Sequence, residues 1–237
     1  MPEIKLGKQK VQFTPERREV VLCDTADHAR ATARQLAKAI GPLIDASDDS
    51  RGTVRDRLGR KPEISRIAAT LAELHLDESM LDWRMKDATP LQRVLAASFV
   101  AVFGGAEAVV VDCTSLASSR FDTAHLFAHL RRLAASFPVT VVAVISDAAL
   151  MSSAGSHLTV ISDDIIVEAA SVSDALARPA SAALLERLEA TPVASPLAMQ
   201  KRRVQRSATK PVNYAHTLII ELPTADSIAL AAGDTEN

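Results

Sequence analysis

Glu19-Val20-Val21-Leu22-Cys23-Asp24-Thr25 is a short apolar run with β-branched residues that ends in two cap-forming side chains. An apolar run of this length with such flanks predicts a buried strand over Glu19–Cys23. Asp24-Thr25 offers an N-cap for a helix that runs through Ile40, with Ala26, Ala29, Ala33, Leu36, Ala37 and Ile40 on one face. Gly41-Pro42 then ends it, glycine just past the last turn and proline beyond. A polar stretch from Asp45 to Gly52 reads as loop.

The pattern repeats further on. Ala108-Val109-Val110-Val111-Asp112 is a second buried strand, closed by an acid. A helix over Asp122–Ser136 and a strand over Val139–Ile145 follow. Leu158–Ile161 and Ile165–Val167 read as a hairpin joined through Ser162-Asp163-Asp164. Asp174 to Ala190 is helical in two pieces around Pro179. Between the first unit and the Asp112 strand the chain is helical over about 53–103. One helical pattern runs from Thr53 to about Leu81, and a second helix starts at Thr89-Pro90 and stops at Gly104-Gly105. Strands alternating with helices predict an α/β protein with a mostly parallel sheet, an inserted helical subdomain and a shortened antiparallel part. Residues 1–191 form this domain. Residues 192–237 are expected to be a C-terminal extension with one strand, Thr217–Leu222.

Composition narrows the function. Twenty-seven Lys plus Arg against 29 Asp plus Glu in 237 residues give a net charge of −2, so there is no general basic field for nucleic acid or an anionic membrane. The two cysteines, Cys23 and Cys113, both lie in apolar runs, which excludes a disulfide framework or a cysteine zinc site and suits a reducing compartment. No secretory h-region and no membrane-spanning run is visible, so a cytoplasmic protein without direct membrane insertion is expected. Eight glycines are few for this length, against an average of about 7%.

A strand, a tight loop, a helix and a distant apolar strand ending in Asp is the layout of a P-loop nucleotide-binding protein, whose loop reads G-x-x-x-x-G-K-[ST]. Here the matching positions are Asp24-Thr25-Ala26-Asp27-His28-Ala29-Arg30-Ala31, without either glycine, the lysine or the hydroxyl. The order of segments from about residue 11 to 190 resembles the ATPase domain of ABC transporters. Gly52 to Leu58 looks like the opening of that family's helical subdomain, and Pro90 to Ala97 like the end of its signature motif and the helix after it. Val109 to Asp112 stands in the Walker B place, and Ser146-Asp147 where the family has its switch histidine and an Asp. The hairpin Thr159 to Glu168 and the stretch Ala177-Arg178-Pro179 are similar to its closing segments.

The resemblance implies a vestigial nucleotide site at Asp24, Ala29, Arg30, Ala31, Asp112 and Ser146, where binding is not expected. Without glycine the backbone does not readily form the N–H nest that cradles phosphate. Asp24 and Asp27 put carboxylates where phosphate would sit, and like charges ~4 Å apart repel by about 4 kcal/mol at an effective dielectric of 20. Those acids can satisfy the helix N-terminus instead. Ala31 removes one magnesium ligand while Asp112 keeps the other. Cys113 replaces the family's catalytic glutamate, and Ser146 its histidine. Lys86-Asp87-Ala88-Thr89-Pro90 lacks the signature serine and glycines.

The expected function is therefore that of a catalytically inactive ABC-ATPase-like subunit, a structural or regulatory partner in a transporter-type or related complex. Its partner would be a protein: an active ABC ATPase, a membrane transporter subunit or a second copy of itself. It would lie in the cytoplasm or at the inner face of the membrane through that partner. No cofactor or metal is expected; ATP and magnesium enter only under the alternative, an ATPase subunit with an unconventional site built on Arg30 and Asp112. His125 and His129, at i and i+4, read as an ordinary helix-surface pair, and Trp83 as core or interface. Ser156-His157 with Asp163-Asp164 lacks the G-x-S-x-G elbow of a hydrolase.

Overall fold

The computed structural model describes residues 4–6, 9–11, 13, 17–47, 51–59, 63–114 and 120–190. Strands β1 (Ile4–Leu6) and β2 (Gln9–Val11) form a small antiparallel pair. The main sheet has six strands: β3 (Arg18–Leu22), β4 (Leu43–Ile44), β5 (Ala108–Asp112), β6 (Thr140–Ile145), β7 (His157–Ser162) and β8 (Ile165–Ser171). Their order is β4-β5-β6-β3-β7-β8, parallel throughout except that β8 returns antiparallel on β7. This is the α/β, mostly parallel architecture that the sequence predicts.

The continuous valine runs have a direct cause, since a parallel sheet covered by helices buries both faces of each strand. On one face Val21, Val110, Val142 and Val144 pack against Ala29, Ala33 and Leu36 of α1 (Ala26–Ile40). On the other, Val20, Leu22, Val109, Val141 and Ala143 meet Leu126, Leu130 and Leu133 of α5 (Arg120–Ser136), together with the helices between β4 and β5. Those helices are α2 (Val54–Arg57), α3 (Ile64–Leu74) and α4 (Pro90–Phe103), with a 3-10 turn at Glu78–Asp82. The single helical pattern expected from Thr53 to Leu81 is thus broken into three pieces. A Thr53–Asp56 capping box starts the first, Gly59 has a positive φ of 88°, and His75 ends α3 in the left-handed conformation. Periodicity carried across these breaks because the pieces share one buried side.

Short strands β1, β2 and β4 were not legible as strands. Leu43–Ile44 is two residues long, and its pairing with Val110 and Val111 is set by Gly41-Pro42 before it. Gly41 ends α1 so close to β5 that an added Cβ would lie 2.2 Å from the Ala108 carbonyl oxygen. Gly41→Ala must push this connection off the sheet and should destabilise the fold by about 1–3 kcal/mol. A fall in the urea midpoint at unchanged slope checks it; an unchanged midpoint would show that the contact relaxes freely.

The remaining elements are a 3-10 turn at Ala148–Leu150, α6 (Met151–Ala154), α7 (Val172–Ala177) and α8 (Ala182–Ala190). The expected strand Thr217–Leu222 and the extension 192–237 lie outside the described residues.

Candidate functional site

The parallel strands β3, β5 and β6 end on one side of the sheet. The ladder continues one residue past two of them, where the Cys23 and Cys113 amides donate to the carbonyls of Ile145 and Val144, each at 3.0 Å. Only three residues, Cys23, Asp24 and Thr25, connect β3 to α1. Thr25 is the N-cap, in extended conformation, and its hydroxyl accepts from the His28 amide at 3.1 Å. Cys23 is buried, and burial pushes its thiol up to about 11 against the opposing hydrogen bond with Thr32.

Asp24 does not cap the helix. Its Oδ1 accepts from Arg187 of α8, and its Oδ2 accepts from the Asp163 amide at 3.0 Å and lies 3.6 Å from Nδ1 of His28. This corrects the expectation for Asp24: Thr25 supplies the cap, while Asp27 does stand in the first turn of α1, where it also pairs with Arg30 at 3.0 Å. The hairpin turn takes part as well. Asp163 and Asp164 both have positive φ, 50° and 61°, the geometry of a tight two-residue turn. Asp164 Oδ1 sits 3.2 Å from Nε2 of His28. Two carboxylates, a histidine and a guanidinium therefore tie the first turn of α1 to the β7–β8 turn and to α8.

Of the six residues singled out from sequence, the structure brings one pair together. Nε of Arg30 lies 3.9 Å from Oδ2 of Asp112, whose Oδ1 accepts from the Thr114 amide at 2.9 Å and its hydroxyl at 2.6 Å. Asp112 is 1% exposed, so these partners hold a carboxylate that would otherwise be expensive to bury. Ala29 is fully buried and is the first core contact of α1. Ala31 is exposed, on another side of the helix, and Ser146 is half-buried just beyond β6. Cys113 is sunk in the core, and burial, then Asp112, push its thiol up.

Two arginines that sequence reasoning passed over organise this end of the molecule. Arg187 is one, and it also donates to the Ile161 carbonyl at 3.3 Å. Arg93 of α4 is the other. Its guanidinium donates to four carbonyls, those of Met85 and Ala88 at 3.1 Å, Lys86 at 3.2 Å and Ala46 at 3.3 Å. It thus locks the 85–88 turn, the stretch that resembles the signature motif, onto α4. A lone arginine among the apolar residues of α4 was the available signal. Trp83, just before this turn, packs half-buried on the core.

His125 is exposed, but His129 is 2% exposed, a correction to the expected surface pair. Neither of its ring nitrogens has a hydrogen-bond partner among the described residues, and burial, then Arg132, pull its pKa down to about 4. Ser156 and His157 open β7 whereas Asp163 and Asp164 follow its end, so some 20 Å of strand separates them and no triad forms. Among the described residues no group of three His, Cys, Asp or Glu side chains is placed to hold a metal ion. No helix among them is long and apolar enough to cross a membrane.

No protein-family model matches the chain, and no curated protein matches it in sequence. Solved structures do match in fold. CbiO1 from Clostridium perfringens, part of the ABC transporter complex CbiONQ, superposes with a TM-score of 0.59 at 8% identity, covering 83% of this chain and 90% of its own. A nucleotide-free ATP-binding cassette from an ABC transporter gives 0.54 at 12% identity, covering 72% and 88%. An ABC transporter in an inward-facing conformation gives 0.57 at 13%, covering 70% and 76%. The fold is that of the ATPase domain of ABC transporters.

Proposed function

We propose that the chain is a catalytically inactive ABC-ATPase-like subunit that serves as a structural or regulatory partner in a transporter-type complex. The observation that carries this reading is the three-residue β3–α1 connection. A phosphate cradle needs a run of free backbone N–H groups before the helix. This connection is too short to supply them, Thr25 takes one of the helix's own donors, and Asp24 and Asp164 bring negative charge to the same turn. These residues do not fit a triphosphate. Arg30 is held by Asp27 and Asp112 rather than free for a ligand, and a buried thiol stands in the place of a carboxylate base.

What remains is a scaffold that can dock where such ATPase domains dock. CbiO1 is part of a transporter complex, and by analogy the partner here is an active ABC ATPase, a membrane transporter subunit or a second copy, at the inner face of the membrane. The alternative, an ATP site of unconventional form, has one observation in its favour: Arg30 and Asp112 do meet.

Purified protein should turn over magnesium-ATP no faster than buffer, and deleting its gene should impair the associated complex while Asp112→Asn, which keeps the side chain's shape, does not. Turnover abolished by Asp112→Asn in a folded protein would overturn the proposal.

A further inference from the structure

At the opposite end of the sheet, where β3 and β7 begin, Arg17, Arg18 and Arg131 line an open cleft of about 650 Å³ with Ser156 and His157. Two alanines of α5, Ala134 and Ala135, leave its wall low. No carboxylate lines it among the described residues. Glu19 follows Arg18 in sequence but is buried and is not among the residues that line the cleft.

Among the described residues, hydrogen bonds on the cleft run between Arg17, His157, Ser156 and the Arg18 backbone. Arg17 Nη1 donates to His157 Nε2 at 2.9 Å. With its proton on Nδ1, His157 donates to Ser156 Oγ at 3.2 Å, and that hydroxyl donates to the Arg18 carbonyl at 3.3 Å. Nη1 of Arg18 is buried with no hydrogen-bond partner among the described residues. Burial, then the nearby Arg131, lower the pKa of Arg18. Gly155 fixes this geometry, because an added Cβ would lie 2.6 Å from Val20 and 2.7 Å from the Arg18 carbonyl.

We propose that this cleft binds a phosphorylated small molecule, with Arg17, Arg18 and Arg131 as its phosphate ligands. Three guanidiniums call for more than one negative charge, and a phosphoryl group carries about −1.5 to −2 where a single carboxylate carries one. The planar fork of arginine matches phosphate oxygens two at a time. The cleft has room for the rest of such a molecule, while the chain's net charge of −2 gives no field for a nucleic acid. The site lies at the far end of the strands from the first turn of α1 and does not depend on the function proposed above.

The test is calorimetric titration of the full chain with pyrophosphate at low ionic strength. Saturable one-to-one binding is expected. Arg131→Gln and Arg17→Gln, both at exposed positions and checked for folding by circular dichroism, should each weaken it by about 10- to 100-fold, the value of one charge-assisted hydrogen bond. Arg30→Gln, at the other end of β3, should leave it unchanged. No binding, or binding that survives both cleft substitutions, or a loss confined to Arg30→Gln, would overturn the proposal.

Discussion

Asp24→Gly, which restores the glycine that a P-loop carries at this position, should destabilise the protein and bring no affinity for ATP. The carboxylate is the partner of Arg187, whose side chain is 17% exposed, and it also accepts the Asp163 amide. Removing one member of an exposed pair costs about 0–1 kcal/mol, and of a fully buried pair about 3–5 kcal/mol. Asp24 is 30% exposed, so the pair lies between these limits and a loss of ~2–3 kcal/mol is expected. The glycine adds flexibility to the unfolded chain and moves in the same direction. No phosphate site results, because the connection to α1 stays three residues long and Asp164 stays beside His28. Chemical denaturation measures the first part and a thermal shift with magnesium-ATP the second. Double substitution with Arg187→Leu separates the pair from the loop, since an uncompensated guanidinium is no longer left behind. A stable Asp24→Gly protein that gains a nucleotide-dependent shift would show that one side chain, not the length of the loop, closes the site.

The difference between what could and could not be read from sequence follows the range of the interactions. Strands β3, β5 and β6 were legible because burial on both faces leaves an unbroken valine-rich run that no loop imitates. The pieces around Gly59 and His75 were not, since the helical period continues over a chain that has already turned. At the site, the approach of Arg30 to Asp112 follows from the strand–loop–helix layout, in which both elements are recognisable. The partner of Asp24 does not: Arg187 is 163 residues away on a helix with no distinguishing motif. Arg93 was hidden for another reason. Its acceptors are all backbone carbonyls, which leave no trace in side-chain patterns. The arginine cleft combines both effects, an adjacent pair at the start of β3 and a third member contributed by α5.

His129→Leu should make the protein more resistant to acid, by an amount that grows as the pH falls. In the unfolded chain this histidine titrates near 6.5, and in the fold burial and Arg132 hold its pKa down at about 4. Between those values the unfolded state binds the proton and the folded state does not, so stability rises with pH across the window and is lost as pH falls through it. A difference of this size corresponds to about 3 kcal/mol once the pH is below the folded value. Above pH 7 both states are neutral and the titration contributes nothing. There the leucine gains only by removing a buried ring whose nitrogens have no protein partner among the described residues, an effect of about 1–3 kcal/mol. His129→Gln divides the two contributions, because it keeps polar atoms in the site and has no charge to acquire. Urea unfolding of the three proteins from pH 7.5 to 4 should show the wild type falling away from both variants below about pH 6.5. If the wild-type and glutamine curves run parallel through the whole range, His129 does not titrate with a depressed pKa, and the acid sensitivity of the fold has its source elsewhere.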